Sequence, residues 1–132
     1  MQTTDSFSKA IILGATGGIG RHLATELAKH LDFLVLVGRN PDKLVQLQNE
    51  LAGSKAQLSI KVLNLCDKEA LENFGKALDA DLLVNCAGLA SFSIGSDLAT
   101  EKEQELWQVN YHAPVQLMKL LAQKNRKIRL VQ

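Results

Sequence analysis

Apolar positions fall into short unbroken runs, separated by longer stretches in which they recur every three or four residues. Ala10-Ile11-Ile12-Leu13 and Phe33-Leu34-Val35-Leu36-Val37 are apolar throughout, the pattern of strands covered on both faces. Leu58 to Leu65 and Asp81 to Val84 are two further strand candidates, and Lys127 to Val131 reads as the start of a fifth. Helical patterns lie between them. Ile19, Leu23, Leu27 and Leu31 repeat at one-turn spacing over 19–31. Asn40 and Pro41 supply an N-cap and a first helical residue, followed by a stripe of Leu44, Leu47 and Leu51 and a stop at Gly53. Asp67 caps a helix carrying Ala70, Leu71, Phe74 and Leu78. A long helix is expected from about Thr100 to Gln123, and the polar stretch Ala90 to Thr100 is the one long loop, as found at binding faces.

The resulting order, β-α-β-α-β-α-β-α-β, places helices of about ten residues or more between strands, as parallel neighbours require. The expected fold class is α/β: an open, doubly wound parallel sheet of about five strands with right-handed crossovers. A length of 132 residues suits one domain, and 46% apolar with 22% charged residues suits a folded one. With 15 basic and 14 acidic side chains, no electrostatic footprint marks nucleic acid or a membrane surface as a partner. No run approaches the roughly 20 apolar residues of a membrane helix, and no signal peptide is visible, so the cytoplasm is the expected location. Cys66 and Cys86 are too few for a disulfide scaffold or a thiolate metal site and are expected to be buried free thiols; no metal is expected. His22, His30 and His112 are scattered and read as surface or packing residues.

Chemistry enters with Gly14-Ala15-Thr16-Gly17-Gly18-Ile19-Gly20, which joins the first strand to the first helix. Gly14 permits a tight turn off the strand. Gly18 lets backbone N–H groups approach a pyrophosphate, and Gly20 lets the helix pack close to the sheet. The helix N-terminus adds free donors for the phosphates. A tight turn alone is the plainer explanation, but four glycines in seven residues are entropically costly for that purpose. No Gly-Lys-Ser/Thr follows, which disfavours a nucleotide P-loop. About 20 residues on, an Asp or Glu would select the 2′-hydroxyl of NAD. The second strand here ends in Gly38-Arg39-Asn40 instead. Gly38 leaves room and Arg39 offers a guanidinium fork to a 2′-phosphate, so NADP(H) is favoured over NAD(H).

These motifs carry a family likeness. The segment Gly14 to Gly20 resembles the TGxxxGxG motif of short-chain dehydrogenases/reductases, with Leu13 in place of the leading Thr. Asn85-Cys86-Ala87-Gly88 resembles that family's NNAG motif with one change. Asn64-Leu65-Cys66-Asp67 is similar to the segment lining the adenine pocket, with Asn64 where Asp is usual. Trp107-Gln108-Val109-Asn110 resembles the segment that contributes an active-site Asn. The resemblance implies a Rossmann-type NAD(P)-binding domain over 1–132, with residues 1–8 a polar tail. It implies cofactor contacts at Gly14, Thr16, Gly17, Gly18, Ile19, Gly20, Gly38, Arg39, Asn40, Asn64, Leu65, Asn85, Ala87 and Gly88. It also implies a proton-relay water on the Asn110 carbonyl. Pro114 supports that last role, because it has no N–H to pair with the carbonyl four residues earlier, so the helix should kink.

One part of the family pattern is missing. Its proton chemistry uses a Ser and a Tyr-x-x-x-Lys pair, yet the single Tyr, Tyr111, is followed four residues later by Val115. The expectation is therefore the cofactor-binding half of an NADP(H)-dependent oxidoreductase. It would act on a carbonyl or alcohol that the sequence does not identify, with the chain truncated in its fifth strand and inactive alone. The alternatives are a non-catalytic NADP(H)-binding or sensor module, and an inactive remnant that dimerises through an unpaired sheet edge. A homo-oligomer is expected.

Overall fold

The computed structural model describes residues 7–77, 79–88, 100–124 and 129–131. Strands β1 (Lys9–Leu13), β2 (Phe33–Gly38), β3 (Gln57–Val62), β4 (Leu82–Asn85) and β5 (Arg129–Val131) pair in parallel in the order β3-β2-β1-β4-β5. Ile11 lies between Val35 on one side and Leu83 on the other, and this register holds along the central three strands. Helices α1 (Gly18–Ala28), α2 (Pro41–Glu50), α3 (Lys68–Ala77), α4 (Thr100–Trp107) and α5 (Ala113–Lys124) connect them, with a π-helical turn at Gln108–His112 joining α4 to α5.

Alternation along the strands builds two separate cores. Ile11, Leu13, Val35, Val37 and Leu83 face α3, the π turn and α5, meeting Leu71, Phe74, Val109, Leu117 and Leu121. Ala10, Ile12, Leu34, Leu36 and Val84 face α1 and α2, meeting Ala24, Ala28, Leu44 and Leu47. A central strand with helices on both faces needs apolar side chains at every position, which explains the unbroken runs. The doubly wound α/β fold is thus as expected, and α2 and α3 begin where their caps place them. Asn40 Oδ1 accepts from the Lys43 N–H (3.2 Å), and Asp67 Oδ1 accepts from the Ala70 N–H (3.1 Å).

Three elements differ from the sequence reading. The fully buried residues of α1 are Gly20, Ala24 and Ala28; of the expected stripe, Leu23 and Leu27 are half-buried against the same core, Leu31 is buried just beyond the helix, and Ile19 is 74% exposed. The helix lies so close to the sheet that only small residues fit between them, and the larger side chains flank the contact. β3 ends at Val62, three residues early, although Leu63 and Leu65 are still buried beyond it. The long helix is not continuous: the Ala113 N–H donates to the Gln108 carbonyl, five residues back, giving the π turn at the place where a kink was expected. Residues 90–99 of the expected loop, Leu78 of the α3 stripe, Lys127 and Ile128 of the fifth strand and residues 1–6 of the tail lie outside the described residues.

At the N-terminal end of the sheet, Asp81 ties three strands together. Its Oδ2 accepts from the Ser8 and Lys9 N–H groups (2.8 and 3.0 Å), its own N–H donates to the Lys9 carbonyl, and its carbonyl accepts from the Arg129 N–H. Asp81→Ala leaves two half-buried donors without their acceptor. We expect a loss of about 1–3 kcal/mol, read as a lower urea midpoint with an unchanged slope. An unchanged midpoint would mean that this carboxylate does not hold the strand ends.

Candidate functional site

The chain runs outward from β1 to β2 and β3, then returns to the other side of β1 as β4. This reversal opens a crevice between the C-terminal ends of β1 and β4, the place where doubly wound sheets bind ligands. Gly14 forms the turn at the end of β1, with φ +75°. A Cβ there would lie 2.6 Å from the Ala87 nitrogen, so the turn sits directly against the exit of β4. The Gly14 and Ala15 N–H groups both donate to the Val37 carbonyl (2.9 and 3.0 Å), which fixes the turn to β2 as well. Gly20 packs underneath, where a Cβ would lie 2.1 Å from the Gly14 oxygen.

The outer glycines face the opposite way. A Cβ on Gly18 would meet nothing within 4 Å, and one on Gly17 only the Gly14 oxygen at 3.6 Å. Gly17 is the N-cap of α1 and offers no side chain, so the first N–H groups of the helix are left for an anion. Two glycines thus allow close packing inward, and two leave an open backbone cradle that a side chain would fill. That shape and donor set fit a pyrophosphate.

The cradle opens into a cleft of about 650 Å³. Gly14, Thr16 and Gly17 line one end. The tip of β2 and the start of α2 contribute Val37, Gly38, Arg39, Asn40, Pro41 and Lys43; Leu63 and Leu65 come from beyond β3. Cys86, Ala87 and Gly88 come from beyond β4, and Val109 from the π turn. Among the described residues, the charged ones lining this cleft are Arg39 and Lys43, with no carboxylate.

Nine of the expected contact residues therefore share this cleft: Gly14, Thr16, Gly17, Gly38, Arg39, Asn40, Leu65, Ala87 and Gly88. Others lie elsewhere. Gly18 is open above the loop and Gly20 is buried beneath it. Ile19 points into solvent. Asn85 Oδ1 accepts from the Ala87 N–H (3.1 Å), a bracing bond that shapes the β4 exit. Asn110 is exposed on the π turn, with its Oδ1 3.4 Å from where a Gly88 Cβ would be. Pro114 cannot donate to the Asn110 carbonyl, yet Asn110 is not without partners.

Lys43 escaped the sequence reading, although its place one turn beyond Arg39 was a usable signal. Val109 and Leu63 escaped it because their apolar character marks only burial. Neither cysteine is fully buried, contrary to expectation: both are half-buried, and Cys86 lines the cleft. Burial raises the Cys86 thiol pKa, so the group stays protonated at neutral pH. Burial, then Glu105, raise that of Cys66, with Arg39 opposing.

A second cleft, of about 750 Å³, adjoins the first and shares Arg39 with it. Asn64, Cys66 and Lys68 line one side; Glu101, Gln104, Glu105, Trp107, Gln108 and His112 of α4 and the π turn line the other. Gln108 Nε2 donates to the Leu65 carbonyl (3.0 Å), which ties the π turn to the wall of the first cleft.

Comparison with known proteins agrees with this geometry. The family model for short chain dehydrogenases matches residues 8–128. The bovine (Bos taurus) 3-ketodihydrosphingosine reductase is 33% identical over 113 residues, covering 76% of this chain and 33% of the relative. Mouse (Mus musculus) dehydrogenase/reductase SDR family member 7B is 33% identical over 123 residues, covering 84% of this chain and 37% of the relative. Among solved structures, L-sorbose reductase from Gluconobacter frateurii, complexed with NADPH and L-sorbose, has a TM-score of 0.83 at 28% identity, covering 92% of this chain and 48% of that one. A short-chain dehydrogenase from Sphingobium yanoikuyae in complex with NADPH has a TM-score of 0.82 at 25% identity, covering 89% of this chain and 48% of that one. The chain thus spans about a third of the length of these curated relatives and about half of these solved structures. With the glycine turn, the doubly wound sheet and a family match over nearly all of its residues, the chain belongs to the short-chain dehydrogenase family.

Proposed function

We propose that this chain is the NADP(H)-binding part of an oxidoreductase that moves a hydride to or from a carbonyl or alcohol. The observation that carries the choice of NADP(H) is the charge at the tip of β2: among the described residues, Arg39 and Lys43 are the charged side chains that line this cleft, and the carboxylates nearest in the lining, Glu101 and Glu105, belong to the adjoining one. A ribose 2′-hydroxyl needs an acceptor there, whereas a 2′-phosphate needs cations. The cofactor, when bound, supplies or accepts the hydride. In this reading the chain's own residues position it. The open N–H groups at the start of α1 hold the pyrophosphate, Arg39 and Lys43 hold the 2′-phosphate, and Leu63, Leu65 and Val109 flank the base. Asn110 serves as the relay position, supported by its place on the π turn beside Gly88.

No Tyr-x-x-x-Lys occurs in the 132 residues, so in this reading the proton-transferring side chains come from outside them. The same observation favours a second reading, cofactor binding without catalysis. A Ser and a Tyr-x-x-x-Lys encoded downstream of Gln132 support the first reading, and a stop codon there supports the second.

Titration of the chain with NADPH and NADH tests the cofactor choice. NADPH should bind at least about tenfold more tightly, and Arg39→Ala should remove most of that margin while leaving NADH unchanged. Equal affinities for the two would contradict it. The cradle is tested by two glycine substitutions. Gly18→Ala meets open space and should fold with undiminished stability, yet bind either dinucleotide about tenfold more weakly. Gly20→Ala collides with the Gly14 oxygen and should lose about 1–3 kcal/mol of stability in denaturant titrations. Wild-type nucleotide affinity in Gly18→Ala would rule the cradle out as the phosphate site.

A further inference from the structure

Arg39 stands at the border of the two clefts and lines both of them. Among the described residues, its first-cleft side holds Lys43 and no carboxylate. Its second-cleft side is different: the facing wall carries Glu101 and Glu105, one turn apart on α4. No ion pair or hydrogen bond holds the Arg39 guanidinium or the Glu101 carboxylate among the described residues. Glu105 has Lys102 of its own helix at 3.6 Å, an exposed contact of the weak kind. Two carboxylates at this spacing repel each other, and a cation facing them relieves the repulsion.

The opposite charges already act on common ground. Burial is the largest influence on the Cys66 thiol in this cleft; after it come Glu105, which raises the thiol pKa, and Arg39, which lowers it. The helix that carries the glutamates is lightly held. None of residues 101–107 is buried, and α4 packs mainly on the π turn that follows it in the chain. Arginine is long, flexible and always charged, so its position follows the acceptors within its reach.

We propose that Glu105, with Glu101 one turn before it, is an internal competitor for Arg39: the two carboxylates draw the guanidinium toward the second cleft and so oppose the binding of a 2′-phosphate in the first. The proposal rests on the NADP(H)-binding reading above. The glutamates are positioning residues that act through Arg39 and touch no nucleotide themselves. They narrow the margin between NADPH and NADH, because only the phosphorylated dinucleotide needs Arg39 to be released. Lys68, on the same wall as Arg39, is the other cation open to them.

The test is a calorimetric titration with NADPH and with NADH of the wild-type chain and of Glu101→Gln/Glu105→Gln. The double variant should bind NADPH about threefold to tenfold more tightly and leave NADH unchanged. Glu105→Gln alone keeps the acidic first turn of α4 and should gain about twofold or more, so the test survives a poorly folded double variant. In an Arg39→Ala background the same substitutions should change NADPH affinity by less than about twofold. A gain below about twofold in both variants overturns the proposal and means that Lys68 takes the glutamates. A gain that persists without Arg39 overturns it too, because the carboxylates would then repel the phosphate directly. An equal gain for NADH marks a general effect on the fold and also overturns it. These three outcomes leave NADP(H) binding standing when the wild-type chain favours NADPH. A wild-type chain that binds both dinucleotides equally, or neither, overturns that reading and this proposal together.

Discussion

A Cβ on Gly20 would sit 2.1 Å from the Gly14 oxygen, and a Cβ on Gly14 would sit 2.6 Å from the Ala87 nitrogen. These two contacts are backbone on backbone, and no side chain fits either of them. They bring the first turn of α1, the end of β1 and the exit of β4 into one stack. With the Val37 carbonyl accepting from both Gly14 and Ala15, β2 joins the same stack. The consequence for packing is direct: α1 must meet the sheet through Gly20, Ala24 and Ala28. The consequence for chemistry follows from the same geometry. With Gly14 and Gly20 turned inward, Gly17 and Gly18 are turned outward, and the uncapped N-terminus of α1 opens over the crevice.

The remaining walls of the crevice come from elements held in place by other means. Leu63 and Leu65 continue the core beyond the end of β3. Val109 is placed by the π turn, and the Gln108–Leu65 hydrogen bond keeps that turn against the wall. Pro114 disfavours a regular helix here, since it cannot donate to the Asn110 carbonyl, and the wider turn lies at this interruption. At the opposite end of the sheet, Asp81 closes the strand ends, its carboxylate accepting from the Ser8 and Lys9 N–H groups and its own backbone pairing with Lys9 and Arg129, and it does not line the cleft.

Much of this was legible in the sequence, for identifiable reasons. Central strands buried on both faces produce unbroken apolar runs, so β1, β2 and β4 could be read directly. Asn40, Pro41 and Asp67 act through their own local hydrogen bonds and φ preferences, and these do not depend on the rest of the fold. The α1 stripe misled only at Ile19 and in which residues are most deeply buried: Leu23, Leu27 and Leu31 do pack on the core, the first two at its edge. The close approach set by Gly20 puts the alanines deepest, sets Leu23 and Leu27 at the edge of the contact and leaves Ile19 exposed. Asn85 is a brace for Ala87, and that role depends on the path of the chain beyond β4. Lys43 becomes a cleft residue because α2 starts at the rim, and Cys86 because the chain leaves β4 beside Gly14. Both depend on tertiary placement, which residue type alone does not report.

The central claim is that the turn from Gly14 to Gly20 is an anion cradle and that α1 points its N-terminus into it. The most direct measurement is a backbone amide chemical-shift map of the isotope-labelled chain during titration with NADPH. The account requires the largest saturable shifts at the amides of Gly17, Gly18 and Ile19, accompanied by Leu65 and Val109 on the base side. Saturable shifts confined to other surfaces, with the glycine-turn amides unmoved, would contradict it.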